Sequence, residues 1–102
     1  MKTQASQRQS KKLTLEAVFS SRGRAKILEL LALRNELNIS EIIRRTSLNH
    51  SSVARHLQIL GDLGFILEKN FGRIKIYRYC SENINARALK NLILLWRDDN
   101  VV

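Results

Sequence analysis

Between residues 40 and 64 the chain reads Ser40-Glu41-Ile42-Ile43-Arg44-Arg45, turns through Thr46, Ser47 and Leu48, and continues Asn49-His50-Ser51-Ser52-Val53-Ala54-Arg55-His56-Leu57-Gln58-Ile59-Leu60-Gly61-Asp62-Leu63-Gly64. Apolar residues recur at helical spacing on both sides of a connection too short for anything but a tight turn. The segment therefore predicts two short helices sharing one buried side, a helix-turn-helix. Ser40 is expected to cap the first helix, Glu41 to Arg45, with Ile42 and Ile43 inward and Arg44 and Arg45 wet; Asn49 is expected to cap the second. On a 100-degree wheel Val53, His56, Leu57, Ile59, Leu60 and Leu63 share a broad side, opposite Ser51, Ala54, Arg55 and Gln58.

The residues C-terminal to this segment narrow the fold. Gly64 suits a helix end, Phe65 to Lys69 reads as a strand, and Asn70-Phe71-Gly72 as a turn. From Arg73 the chain alternates Arg73, Lys75, Tyr77 and Tyr79 against Ile74, Ile76, Arg78 and Cys80, the period of a half-buried strand, with the tyrosines expected to pack. A basic hairpin after a helix-turn-helix makes a winged helix-turn-helix, mainly α with a small β-hairpin (α+β). Ahead of it, Leu13, Leu15, Val18 and Phe19 predict a short helix, and Ser21 a cap for a helix over Arg22 to Leu33. Glu36 to Ile39 reads as a brief strand. A terminal helix is expected from about Asn83 to Trp96.

In 102 residues this is one domain, over 13–97, with a basic tail over 1–12, expected to be disordered, and a short tail over 98–102. The formal charge is +9, which suits a polyanionic partner better than an acidic protein surface or an anionic membrane. One cysteine, Cys80, allows no internal disulfide, and no apolar run has membrane-spanning length. These features point to the cytoplasm and, given the charge, the nucleoid. No phosphate loop, nucleophile elbow or paired acidic motif suggests an enzyme.

The outer side of the second helix fits the major groove of double-stranded DNA, because it is short or polar throughout. Arg55 suits guanine bidentately, Gln58 suits adenine, Ser51 is adaptable and Ala54 reaches a thymine methyl. Backbone contacts are expected from Arg22 and Arg24 at a helix start whose cations oppose the helix dipole and from Arg44, Asn49 and His50, while Lys69, Arg73 and Lys75 of the wing, about 65–79, are expected to reach phosphates or the minor groove. The competing readings are a solvated helix face and a basic edge strand that merely resists aggregation. His56, amid apolar neighbours, is read as a packed histidine, and Cys80 as a small hydrophobe rather than a redox switch.

The stretches "RAKILELL", "ISEIIRRTSLNHSSVARHLQIL", "GDLGFI" and "KNFGRIKIYRY" resemble the winged-helix repressors of the bacterial and archaeal ArsR type. The resemblance implies that the second helix enters the major groove, that the hairpin lies along the backbone, and that the first and last helices pair two subunits. It departs where metal-sensing members carry a cysteine pair, since Asn38 and Ser40 stand there, and residues 83–97 hold no histidine for a second metal site. The expectation is a regulator without metal or other cofactor. The terminal helix carries more apolar surface than one packing face needs. Leu89, Leu92, Leu95 and Trp96, with Leu15, Val18 and Phe19, are therefore expected to form a homodimer interface. Two alternatives share the fold: a low-specificity architectural DNA-binding protein, and a winged helix whose face meets protein.

Overall fold

The structure, a computed structural model, describes residues 15–99. The tail over 1–12, the expected helix start at Leu13 and the end of the C-terminal tail lie outside them. A helical stretch through residues 15–19 leads into α1 (Arg22–Arg34), β1 (Glu36–Asn38), α2 (Ile39–Thr46), α3 (His50–Asp62), β2 (Ile66–Phe71), β3 (Ile74–Tyr79) and α4 (Ile84–Asp99). The strands form an antiparallel sheet in the order β1-β3-β2.

Local chemistry sets most of these boundaries. The Ser21 hydroxyl accepts from the Arg24 amide at 3.2 Å and starts α1. Asn35, at φ 78°, ends that helix with its own amide on the Leu31 carbonyl, and its carbonyl then accepts from the Tyr79 amide, which ties β1 to β3. The cap of α2 is Asn38, not Ser40. Asn38 Oδ1 accepts from the Glu41 amide at 2.9 Å, so the helix begins two residues before the expected Glu41, and Ser40 lies exposed within its first turn. The last β1 residue is thus also the helix cap, and the connection needs no loop of its own.

The turn between α2 and α3 is held from inside. The buried Thr46 hydroxyl donates to the Ile42 carbonyl at 2.7 Å, Lys26 Nζ of α1 donates to the Thr46 carbonyl at 3.0 Å, and Ser47 takes a left-handed φ of 61°. Asn49 caps α3 as expected, with Oδ1 2.8 Å from the Ser52 amide. The hairpin turn is one residue later than expected. Phe71 pairs with Ile74, leaving Gly72 and Arg73 as the loop, with φ +65° at Gly72 and no positive φ at Arg73. Glycine first and an ordinary residue second is what a type II′ hairpin turn requires.

The core gathers Ile27, Leu28, Leu31 and Ala32 of α1, Ile42 of α2, Val53, Leu57 and Leu60 of α3, and Phe65, Ile66, Tyr77 and Tyr79 of the hairpin. Fully burying each of the larger aliphatics contributes about 1.5–3 kcal/mol, so α3 is fixed by its inner side while its outer side remains wet. Tyr79 is wholly buried and donates from its hydroxyl to the Ala86 carbonyl at 2.6 Å, joining β3 to the start of α4; burial raises its phenol to about 12. Asn83 Oδ1 accepts from the Asn85 and Ala86 amides, and α4 then runs to Asp99, past the expected end at Trp96.

Candidate nucleic-acid interface

The inner and outer sides of α3 divide as its periodicity predicts. Val53, Leu57 and Leu60 are buried, while Ser51, Ala54, Arg55 and Gln58 are all exposed on a helix that the core holds in place. Arg55 makes no ion pair among the described residues. His56 lies between the two sides, its ring against the start of α1. An ideal Cβ on Gly23 would stand 2.9 Å from His56 Nε2, so only glycine admits the ring at this distance. Burial lowers the pKa of His56 from its usual value, and Arg24 and Arg55 lower it further; its Nδ1 is buried without a hydrogen-bond partner.

The residues expected on the DNA backbone fall into three groups. Arg22, Arg73 and His50 are exposed. Asn49 is exposed too, but its Oδ1 serves the α3 cap and also accepts from the Ser51 hydroxyl at 3.2 Å, so only its amide nitrogen remains for a phosphate. Arg44, Lys69 and Lys75 already face carboxylates: Glu41 at 2.6 Å, Glu36 at 2.6 Å and Glu68 at 3.8 Å. Glu41 also accepts from Arg45 Nε at 3.0 Å, and hydrogen bonds from both arginines hold its carboxyl below the usual range. The acid three and four positions before the two arginines was a readable sign of this pairing. Arg24 has to be withdrawn from the backbone set. It is 9% exposed, and its Nη1 donates to the Ala17 carbonyl, because the helical residues 15–19 fold over the start of α1.

Between α3 and the hairpin lies a cleft of about 240 Å³, lined by Ala54, Gln58 and Asp62 of the helix and Glu68, Lys75 and Tyr77 of the strands. It brings two expected base-reading residues and one expected backbone lysine to a single concave surface. Sequence reasoning missed the acids that face the hairpin lysines, Glu68 in this cleft and Glu36 on the opposite face of the sheet, because strand neighbours are separated in sequence.

On the far side of the domain, α4 packs on α1 through Leu89 and Ile93, which are partly buried. Leu15, Phe19, Leu92, Leu95 and Trp96 are each more than half exposed. Phe19, Leu92 and Trp96, with Leu28 of α1, border an apolar groove of about 500 Å³. Val18 must be removed from the expected interface, since it is 1% exposed and belongs to the core of the single chain. Ile84 and Leu94 of α4 are exposed as well. Among the described residues no three His, Cys, Asp or Glu side chains come together as a metal site, and no helix is long and apolar enough to cross a membrane.

Comparison with known proteins bears on this arrangement. Residues 21–67 match the model of a family described as bacterial regulatory protein, arsR family. The chain is 31% identical over 90 residues to YuzN, an uncharacterised HTH-type transcriptional regulator of Bacillus subtilis, with 79% of this chain and 92% of that protein covered. Among solved structures, it is similar to the homodimeric winged helix-turn-helix DNA-binding domain of Mb0332 from Mycobacterium bovis, a possible ArsR-family transcriptional regulator. There the TM-score is 0.70 and the identity 23%, over 96% of this chain and 87% of the other. It is also similar to the transcriptional repressor BigR of Xylella fastidiosa, with a TM-score of 0.68 and 16% identity over 91% and 92% of the two chains. At these identities the structural likeness is one of fold.

Proposed function

The chain belongs to the arsR family of bacterial regulatory proteins, and we propose that it is a sequence-specific repressor that binds duplex DNA as a homodimer. The observation that carries this reading is the outer side of α3, where Ser51, Ala54, Arg55 and Gln58 are exposed together on a helix whose other side is fixed in the core. In the major groove Arg55 donates to guanine O6 and N7, Gln58 pairs with adenine, Ala54 meets a thymine methyl and Ser51 adapts to its neighbour. Arg22, Arg44, the Asn49 amide and His50 take phosphates around the helix, and Lys69, Arg73 and Lys75 do so from the hairpin. The protein then acts in the cytoplasm on the nucleoid, covering promoter DNA.

The exposed apolar face of α4 and residues 15–19 supports the dimer. Leu15, Phe19, Leu89, Leu92, Leu95 and Trp96 meet their symmetry mates across a two-fold axis, which matches the homodimer described for the Mb0332 domain. Two α3 helices held in this way address half-sites about 34 Å apart, so the site is an inverted repeat. Selection of bound duplexes from a random pool tests the reading. The preferred site should outcompete random duplex by at least about a thousandfold. A ratio near one would mean an architectural binder, and binding without salt dependence would turn the face over to a protein partner.

A further inference from the structure

The tip of the hairpin carries an apolar pair that neither the core nor the base-reading face uses. Cross-strand partners share a face of a sheet, so Phe71 lies beside Ile74, and Asn70 beside Lys75 on the other face. Lys75, Glu68 and Tyr77 line the cleft toward α3, which places Phe71 and Ile74 on the outward face of the same tip. They are 60% and 55% exposed. On the same face their next neighbours are Lys69 and Ile76, with Glu36 farther back, held by Lys69 at 2.6 Å, while Gly72 and Arg73 form the loop at the tip.

Even with the exposed Leu67 and the half-buried Ile76 farther along the same face, the patch is small beside a stable protein interface, which needs about 800 Å² from each partner. A narrow groove is different. The minor groove is about 6 Å wide, with apolar sugar walls and a negative potential that draws arginine, and proteins enter it with single side chains, apolar ones among them, that wedge between base steps.

Resting on the DNA-binding reading above, we propose that Phe71 and Ile74 form an apolar wedge that enters the minor groove beside each half-site. Arg73 leads it in, and the wedge partly unstacks one base step. Pyrimidine–purine steps unstack most easily, so the wedge makes the protein selective for TA or CA/TG steps at flanking positions that α3 does not touch. Phe71 and Ile74 are thereby specificity-determining residues of the wing.

The test uses the full chain and a duplex recovered from the random pool, with 2-aminopurine placed in turn at each flanking step. The unmodified protein should raise fluorescence at one such step. Phe71→Ala with Ile74→Ala should abolish that rise and weaken binding about tenfold, with the slope of log affinity against log salt unchanged because no charge is lost. Phe71→Leu should keep most of both. Since both side chains are exposed, thermal melting should not change. If the double variant binds and unstacks like the unmodified protein, while Arg55→Ala still weakens the preferred duplex, the wedge is wrong and the DNA-binding reading survives. If the double variant changes sedimentation but not DNA affinity, the face pairs protein chains and the proposal fails. If the unmodified protein binds no duplex, the wedge and the reading beneath it fall together.

Discussion

The recognition helix and the hairpin border one cleft but hold their charges differently. Arg55 stands on the outer side of α3 without an ion pair among the described residues, whereas Lys69 and Lys75 of the hairpin face Glu36 and Glu68. Exposed pairs of this kind are worth about 0–1 kcal/mol, so phosphate can displace the acids, yet each displacement subtracts from the gain. Arg44 of α2 is in the same position beside Glu41. A strongly basic chain can discriminate in this way: the lysines and arginine proposed to hold the DNA backbone are moderated by acids, and the face proposed to read bases is not.

Separating the two copies should have the greatest consequence, because both regions then act once instead of twice. Leu92→Glu places a carboxylate in the apolar face of α4; the variant should sediment as a monomer and lose about a hundredfold or more in affinity for its preferred site. A dimer that persists with full affinity would remove α4 from the interface. Next comes the hairpin itself. Arg73→Ala with Lys75→Ala should weaken selected and random duplexes, the selected one somewhat more because Arg73 leads the wedge, and flatten the log affinity against log salt slope by up to about 0.9 per residue, Lys75 contributing less because Glu68 already faces it. An unchanged slope would show that the hairpin does not touch the backbone. Removing the acid should act more weakly and in the opposite direction: Glu68→Gln frees Lys75, so random duplex should bind a few-fold more tightly with a steeper salt slope. Weaker binding would mean that the acid positions the lysine instead of restraining it.

The mildest change is in stability, at the junction of α3 with α1. The pKa of His56 is lowered from its usual 6.5, so the folded protein favours the neutral ring. The unfolded chain then binds the extra proton first as pH falls, so stability is flat above about 6.5, declines below it, and levels off once pH passes the lowered value. Urea midpoints at about pH 7.5 and 5.5 should differ less in His56→Gln than in the unmodified protein. Equal differences would remove His56 as the source.

Much of this was legible in the sequence, and what was not shares a cause. The two sides of α3, the Ser21 and Asn49 caps and the buried tyrosines of β3 follow from periodicity and local hydrogen bonding, which involve residues a few positions apart. Arg24, expected on the DNA backbone, and Val18, expected in the dimer interface, are buried within the single chain, because residues 15–19 fold across α1, a contact that no helical wheel contains. Asn38 displaced Ser40 as a cap because β1 ends on it, and Phe71 moved from turn to strand because the glycine set the loop one residue later. The acids facing the wing lysines were hidden for the same reason, since strand pairing joins residues that are distant in sequence.

If α3 reads bases while the wing holds the backbone, Arg55→Ala must separate selected from random DNA. Its affinity for the selected duplex and for random duplex, taken at one salt concentration, decides the matter. A loss of about 1–3 kcal/mol is expected on the selected duplex, with little change on random DNA. Equal losses on both would make Arg55 a phosphate contact and contradict the assignment of the reading face.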